Sequence, residues 1–442
     1  MYMNFKYETE VALNKLIKIA FGSVIGTIIE YFDFLAAGTI AILVWPKLFF
    51  GPYGGIFGAI STFALGIIIR PIGAIIFGHL ADKIGRRDSL AYAILIMGIS
   101  TLVIGLLPVP TASTQAIIIV ILILMRLLQG ISIGAEFGTA STWIREYADK
   151  SKNRAFWASW VGFGVAIGTA LAAGLVLGLQ LYQGTSFFAS GSYYAGWRIV
   201  FYTGFVAAVI GLIIRLKLDD SWIFEKLKIK NKILNYPSFA VLKEMPKQVL
   251  LMSTINAFFG ALFYLVYVFG QSYMIGIGYQ PIIVTEIIAI GALAMLFMIW
   301  IGSIIADKYG RKVPIIISIT IVLIFSIPYF VVLNTLNTIF ATLSVILMFS
   351  AGFGIGFGSV TSIYPEYFPT RYRASGANVS FQLSQIYGGG MAPIIASYIF
   401  GYVKAVAAYP YIATLTIFYA TLAFLTMYII NETKQKNLEN YE

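Results

Sequence analysis

The chain contains no cysteine and a single histidine, His79. Without cysteine there is neither a disulfide nor thiol chemistry, and with one histidine a zinc or other soft-metal site is not expected. Charged residues are also scarce, at 11% of the sequence against 59% hydrophobic residues. This balance lies far outside the range of soluble globular domains and excludes that class. No cofactor is expected.

Apolar runs that are long enough to cross a membrane recur twelve times along the sequence. A helix needs about 20 apolar residues to cross a hydrocarbon core of ~30 Å. The runs are predicted at 17–44, 56–80, 90–107, 115–144, 155–182, 197–216, 247–270, 283–306, 313–333, 339–363, 373–402 and 408–430. The first run lacks the cleavage site of a signal peptide, so we interpret it as a membrane helix. The sequence therefore predicts an all-helical membrane protein with twelve spans.

The formal net charge of +11 follows the predicted topology. With an even number of spans, both termini lie on one side of the membrane. If that side is the cytoplasm, all but five of the 30 lysines and arginines lie inside or at the inner boundary. This asymmetry is the one that the positive-inside rule describes. The basic excess therefore indicates topology and contact with anionic lipids, and nucleic acid binding is not expected.

The two halves of the sequence repeat each other. GHLADKIGRR at 78–87 recurs as GSIIADKYGRK at 302–312, each time after the second span of its half. REY at 145–147 and PEY at 365–367 form a second pair, after the fourth span of each half. The lysine-rich segment 217–246 separates the halves. We predict an N-terminal six-helix half at 1–216, a cytoplasmic linker at 217–246 and a C-terminal six-helix half with a short cytoplasmic tail at 247–442.

These motifs carry a family resemblance that covers nearly the whole chain. The ADKxGR loops resemble the signature loop of the major facilitator superfamily. Six segments in order resemble its metabolite:proton symporter family, namely IEYFDF, RPIGAIIFGHLADKIGRR, RLLQGISIGAEFG, GWRIVF, LDDSWIFEKL and YPEYFPTRYRASG. The family usually has Trp-Tyr where Tyr31-Phe32 stand and a glycine pair where Gly134-Ala135 stand. The resemblance implies transport of a carboxylate or zwitterion with protons, in the plasma membrane.

Charged residues inside the predicted spans are the candidates for proton coupling. Glu30 and Asp33 are three residues apart and share one helix face, and Arg126 lies at a comparable depth in the fourth span. Such residues are expensive in a membrane and usually functional. Carboxylates take up protons, whereas arginine stays charged. We hypothesise that Glu30 or Asp33 pairs with Arg126 when ionised and, when protonated, releases Arg126 to a substrate carboxylate. The alternative is that the charges only lock the helices together.

Polar residues on the same faces are the candidates for substrate binding. Arg70 lies inside the second span, and Gln129 continues the stripe of Arg126. Polar side chains on apolar helices usually face a cavity or a neighbouring helix, and interhelical hydrogen bonding is the equally weighted alternative. The full set is Arg126, Arg70, Gln129, Tyr31, Asn256, Tyr264, Tyr267, Asn378, Gln382 and Gln385.

A third group of residues surrounds the repeated loops. The resemblance implies that the loop residues latch a gate on the cytoplasmic side, and the alternative is a solvated loop that only sets topology. Glu136 lies near the inner end of the fourth span, where we favour a gate role over proton transfer. The gate candidates are Asp82, Gly85, Arg86, Glu136, Arg145, Asp307, Gly310, Arg311, Glu366 and Arg371.

The sequence therefore predicts a proton-coupled symporter that moves a small carboxylate-bearing metabolite by alternating access, and a monomer is expected. A sugar or neutral-solute facilitator of the same superfamily is the alternative. An intramembrane enzyme or sensor lacks support, because the sequence has no metal cluster, no serine with a plausible base and no appended soluble domain.

Overall fold

The computed structural model describes residues 2–51, 55–84, 86–134, 136–148, 151–188, 192–216, 237–369, 372–403 and 405–435. Side chains are described in these ranges except at 2–15, 19, 78–79, 81–84, 86–87, 136, 139, 143, 146, 237 and 405–406. Helices joined by short connections make up this part of the chain, and no strand occurs in the described ranges.

Twelve described helices are long and apolar enough to cross a membrane, which confirms the predicted runs. In chain order, spans 1 to 12 are Leu16–Leu43, Gly55–Phe77, Asp88–Leu106, Gln115–Ile133, Arg154–Phe188, Gly196–Leu216, Pro246–Ile277, Pro281–Tyr309, Lys312–Leu333, Thr338–Tyr367, Arg373–Val403 and Tyr409–Ile429. Most bounds lie within a few residues of the predicted ones. The fourth run, predicted at 115–144, is instead divided into Gln115–Ile133 and a separate helix at Glu136–Tyr147.

Several spans are not regular α-helices along their whole length. Span 2 is interrupted between helices that end at Ile68 and begin at Arg70, because Pro71 offers no N–H and restricts the residue before it. Spans 7, 10 and 11 contain π-helical turns at Leu265–Phe269, Ile346–Gly354 and Gln385–Gly390. Such turns insert extra residues and are frequent at functional sites.

Glycines bring spans 2 and 4 into backbone contact. A Cβ atom added at Gly73 would lie 1.9 Å from the carbonyl oxygen of Ile131, and one at Gly130 would lie 2.1 Å from the carbonyl oxygen of Gly66. The second half repeats this arrangement, since a Cβ at Gly302 in span 8 would lie 1.9 Å from the carbonyl oxygen of Ile355 in span 10. Small residues let membrane helices approach this closely.

The first six spans meet the last six along two seams. Span 5 packs along span 8, and span 2 packs along span 11. A short helix, Pro237–Glu244, precedes span 7 and packs on span 11. Residues 217–236 of the predicted linker lie outside the described part of the chain. The outward faces remain apolar, with Ile117 and Phe297 each 62% exposed, as expected for surfaces that contact lipid tails.

We expect Gly73→Ala to destabilise the folded protein. The added methyl group meets backbone of span 4, which moves only if the helices separate, and overpacking of this kind typically costs about 1–3 kcal/mol. Thermal unfolding of the purified protein in detergent measures the change. Gly178→Ala in span 5 is the matched control, because a Cβ there meets no atom within 4 Å. Equal melting temperatures for the two variants would contradict the proposed tight contact.

Candidate functional site

Asp33 is a buried carboxylate of span 1 that is held by spans 3 and 4. Its Oδ2 atom accepts hydrogen bonds from Thr101 Oγ1 at 2.8 Å and from Gln129 Nε2 at 3.2 Å. The same Gln129 nitrogen also donates to Thr101 Oγ1 at 2.6 Å. Span 6 leaves room for the carboxylate, since a Cβ at Gly204 would lie 2.4 Å from Asp33 Oδ1. Four spans therefore meet at this one group.

Arg126 is fully buried in span 4 and is only partly satisfied by the protein. Its Nη1 atom donates to Gln129 Oε1 at 2.6 Å, while Nε and Nη2 have no hydrogen-bond partner among the described residues. The guanidinium carbon lies 4.5 Å from the ring centroid of Phe34 and 4.7 Å from that of Phe63. Contact with ring faces stabilises a cation, but it leaves the two donors available. A partner for them would have to enter from outside the described residues.

Gln129 connects Asp33 to Arg126. The amide oxygen accepts from Arg126, and the amide nitrogen donates to Asp33. The sequence hypothesis of a direct ion pair between the two charges therefore needs correction, because no such pair joins them in the described part of the chain. Arg126 and Gln129 lie about one helical turn apart on span 4. The Gln129 amide, and not the Arg126 guanidinium, contacts the Asp33 carboxylate.

Arg70 of span 2 contacts the same phenylalanine ring as Arg126. Its guanidinium carbon is 4.4 Å from the ring centroid of Phe34, the ring that Arg126 also contacts, and the two arginines are close enough to repel each other. Arg70 Nε has no partner among the described residues. Two like charges near one ring are a site that attracts an anion.

Glu30 and two tyrosines adjoin Arg70. The side chains of Tyr31 and Tyr264 lie close to both Arg70 and Glu30. Tyr31 belongs to span 1 and Tyr264 to span 7, so this contact joins the two halves of the chain. Glu30 is 6% exposed. The predicted charges of spans 1, 2 and 4 are thus brought together in one buried region.

A small cavity lies between the halves next to this region. Four residues that the sequence predicts as substrate ligands line it, and these are Tyr31, Asn256, Tyr264 and Gln385. Asn256 Nδ2 donates to Ser384 Oγ at 2.6 Å, but Asn256 Oδ1 is buried without a partner among the described residues. An unsatisfied buried acceptor inside a cavity is a candidate ligand for a donor group of a bound molecule.

Phenylalanines form most of the remaining cavity wall, and the sequence analysis missed them. They come from spans 7, 10 and 11, and the rings of Phe353 and Phe357 stack with their centroids 4.5 Å apart. Two pairs are spaced four residues apart on one helix face, which was the available signal. The wall, called the phenyl wall below, consists of Phe259, Phe263, Phe353, Phe357 and Phe381.

Three predicted ligands of the second half do not line this cavity, and neither do Arg70, Arg126 and Gln129 of the first half. Tyr267 hydrogen-bonds to Thr39 at 3.2 Å, which ties span 7 to span 1. Gln382 Nε2 donates to the carbonyl oxygen of Gly134 at 2.9 Å, and it faces an apolar groove under the Pro237–Glu244 helix. Asn378 packs against Gly138, where an added Cβ would lie 2.5 Å from the Asn378 Cα. Tyr267 and Gln382 thus make hydrogen bonds between the halves, and Asn378 packs across the same boundary.

Ion pairs join the halves at the end of the bundle that carries the ADKxGR motifs, called the motif end below. Glu366 accepts from Arg145 Nε at 2.8 Å and from Arg311 Nη2 at 3.0 Å, and all three side chains are buried. Burial alone would lower the pKa of Arg311, but the charges of Glu366 and Asp307 raise it above its usual value. A buried carboxylate between two arginines is strongly held, so this cluster fastens span 10 to the first half.

Asp307 caps the first turn of span 5. Its carboxylate accepts from the backbone N–H groups of Ala155 at 2.8 Å and Phe156 at 2.9 Å, which is the favourable place for a negative charge at a helix. This contact again crosses between halves. The gate candidates Asp307, Arg311 and Glu366 thus lie together.

The segment after span 12 also reaches this cluster, which the sequence analysis did not foresee. Glu432 accepts from the backbone N–H of Arg311 at 2.8 Å, and Thr433 Oγ1 donates to Glu366 at 2.6 Å. Gly310 adopts a φ of +114°, which favours glycine, and Glu432 lies against it. The remaining gate candidates lie outside the described residues or side chains, and these are Asp82, Gly85, Arg86, Glu136 and Arg371.

Comparisons with known proteins identify the family. A family model described as Major Facilitator Superfamily matches residues 23–393. The chain belongs to the major facilitator superfamily. It is a metabolite transporter in a membrane and not an enzyme. The inner membrane metabolite transport protein YhjE of Escherichia coli is 30% identical, with 96% of each chain covered. The multi-pass protein is accordingly placed in the plasma membrane.

Two further relatives agree with this membership. The shikimate transporter of Escherichia coli is 30% identical over 89% of this chain and 90% of its own length. Among solved structures, the xylose transporter XylE from E. coli superposes with a TM-score of 0.70 at 18% identity, covering 95% of this chain and 99% of that chain. At this identity, XylE supports the fold alone.

We expect Glu366→Gln to open the motif end. Loss of the negative charge removes the ion pairs that Glu366 makes with the buried Arg145 and Arg311, while the pair of Arg311 with Asp307 remains, and breaking a buried pair typically costs about 3–5 kcal/mol. Because the chain has no cysteine, Asn256→Cys provides a single labelling site in the cavity. We expect a membrane-impermeant maleimide added at the motif end to label it at least about tenfold faster in the Glu366→Gln background.

Thr433→Val is the matched control for this gate experiment. It removes one neutral donor to Glu366 and keeps both ion pairs, so the labelling rate should change far less. A folded Glu366→Gln variant with an unchanged labelling rate would refute the gate assignment.

Proposed function

We propose that the protein is a proton-coupled symporter that imports a small carboxylate-bearing metabolite by alternating access. The observation that carries this proposal is the Asp33–Gln129–Arg126 chain, in which a buried carboxylate and a partly satisfied arginine are joined by one amide. An intramembrane carboxylate can bind and release a proton, and an arginine with free donors can hold an anion. The group that can bind a proton and the group that can bind the substrate anion are therefore adjacent.

Gln129 provides the coupling between proton and substrate. When Asp33 is ionised, it accepts from the Gln129 amide nitrogen and fixes the amide oxygen toward Arg126. When Asp33 is protonated, it loses an acceptor position and gains a donor, so the amide no longer has its preferred orientation. Arg126 then has fewer protein contacts and binds a substrate carboxylate more strongly. Proton binding and substrate binding thereby favour each other, as linkage requires.

The contacts between the halves provide the alternating gates. The Glu366 cluster holds the motif end, and the hydrogen bond between Tyr267 and Thr39 lies on the other side of the cavity. We assign the motif end and both termini to the cytoplasm on the distribution of basic residues. Residues 1–216 and 247–442 would rock as two halves around the cavity, joined by the linker 217–246. We propose that the monomer is the working unit and that lipids contact the basic cytoplasmic face.

Transport of a neutral solute such as a sugar is the second candidate function. One observation favours it, namely that no charged side chain is among the residues that line the cavity. In that case Asp33 and Arg126 would only stabilise the packing of spans 1, 3 and 4. The two candidates differ in their dependence on a proton gradient.

We expect Asp33→Asn to abolish accumulation of substrate driven by a proton gradient. The amide cannot take up a proton, although it keeps hydrogen bonds to Thr101 and Gln129, so exchange of labelled for unlabelled substrate should continue. Uptake into proteoliposomes with and without an inward proton gradient, over a panel of carboxylates, zwitterions and hexoses, measures both activities.

Thr101→Val is the control for this experiment. It removes the hydrogen bonds that Thr101 donates to Asp33 and accepts from Gln129, but it keeps the titrating carboxylate and its bond to Gln129, so gradient-driven accumulation should persist with a shifted pH optimum. Accumulation that survives in Asp33→Asn would reject this carboxylate as the proton site. Gradient-independent equilibration of a hexose by the unaltered protein would favour the second candidate.

A further inference from the structure

The arrangement of charges around the cavity restricts the substrate further than the proposed function does. Glu30, Asp33, Arg70 and Arg126 all belong to spans 1, 2 and 4, and Glu30 and Arg70 lie next to Tyr31, which lines the cavity. The lining from spans 7, 10 and 11 consists of the phenyl wall and Gly260, with Asn256, Tyr264 and Gln385 as the polar residues. The charges beside Tyr31 can therefore neutralise a charged group, and the phenyl wall can only contact an apolar or neutral group.

We propose that the substrate is a small monocarboxylate whose body carries no other charge and rests against the phenyl wall. This inference rests on the proposed function, because it places the carboxylate at the arginines and a proton on Asp33. It excludes dicarboxylates and tricarboxylates, and it also excludes zwitterions.

Charge balance in the buried region supports a single negative charge. Two carboxylates and two arginines have no net charge when all are ionised. A proton on Asp33 leaves one positive charge in excess, which one substrate carboxylate neutralises. A dianion would leave an uncompensated negative charge, and a zwitterion would leave the positive one. An uncompensated charge away from water is penalised by several kcal/mol, so the monoanion is the favoured cargo.

The phenyl wall opposes a second carboxylate directly. Ring faces carry partial negative charge and repel an anion, and the orphaned oxygen of Asn256 is an acceptor that repels it as well. An uncharged hydrocarbon body gains by leaving water and packing on the rings. A hydroxyl or amide on that body can donate to Asn256 Oδ1 or bond to Gln385.

Ring faces also attract cations, so the phenyl wall by itself does not distinguish a hydrocarbon body from an ammonium group. The rings are largely packed on one another, with Phe259 edge-on to Phe357 at 6.1 Å and Phe263 tilted on Phe353 at 5.1 Å. The charge balance described above then decides against the zwitterion.

Matched pairs of ligands test this proposal without depending on proton coupling. Glycine betaine and 3,3-dimethylbutanoate have the same shape and differ in a charged nitrogen against a neutral carbon. Glutarate and pentanoate differ in one carboxylate. Protection against thermal unfolding and competition in counterflow, both without a proton gradient, report binding of each compound to the purified transporter at millimolar concentration.

We expect each monocarboxylate to bind at least tenfold more tightly than its charged partner. Equal or tighter binding of betaine or glutarate would overturn the proposal, and so would absence of binding by both monocarboxylates to folded protein. Because no gradient is used, these outcomes are independent of whether Asp33 couples transport to protons. Gradient-driven accumulation that survives in Asp33→Asn, together with the expected ligand selectivity, would instead reject only the assignment of Asp33 as the proton site.

Two cavity variants test the role of the second-half wall. Gln385→Lys adds a cation there, and we expect it to raise the relative affinity for glutarate over pentanoate by at least tenfold. Phe357→Leu removes ring surface and should weaken binding of 3,3-dimethylbutanoate several-fold. Phe297→Leu, on the lipid-facing side of span 8, is the control and should leave binding unchanged. Unchanged selectivity in Gln385→Lys together with unchanged binding in Phe357→Leu would show that this wall does not contact the substrate.

Discussion

The need to keep charged side chains inside an apolar bundle is the constraint on which the rest of the structure depends. An isolated charge in the membrane is expensive, so each one dictates its neighbours. Arg126 is surrounded by ring faces and one amide, and Asp33 takes two donors from two other spans. The positions of spans 1, 3 and 4 relative to one another follow from these contacts. The contacts of Asp33 and Arg126 therefore constrain this region of the first half. The same region contains arginine N–H groups that have no partner among the described residues.

The twelve spans and the family could be predicted from the sequence because both depend on local information. Run length decides whether a helix crosses a membrane, and the repeated motifs lie in short segments. Helical periodicity also placed Arg126 and Gln129 on one face. It could not predict that Gln129 lies between Arg126 and Asp33, because that depends on how the side chains of three helices reach one another. The interruption before Pro71 was available in the sequence, whereas the separation of the fourth run into two helices depends on packing at Gly134.

The second half was predicted less well for a physical reason. Tyr267 of span 7 lies inside the π-helical turn Leu265–Phe269, where the angular spacing of side chains differs from that of a regular α-helix and cannot be predicted from the sequence. Span 10 has another such turn, which precedes Phe357. The cluster at the motif end combines Arg145, Arg311, Glu366 and the segment around Thr433, which are distant in sequence. A repeat indicates that two loops are equivalent, but it contains no information on which third segment joins them.

The close glycine contact between spans 2 and 4 has a consequence for electrical insulation. Gly73 and Gly130 bring the two backbones together at the level of the arginines, and Gly134 continues the contact, since a Cβ there would lie 2.2 Å from the carbonyl oxygen of Arg70. A water molecule, with a radius of about 1.4 Å, cannot enter where even a methyl group has no room. No file of water can form along this seam. Arginines that would otherwise attract a hydrated leak path are thereby sealed on this side, and the membrane can hold its potential while the transporter turns over.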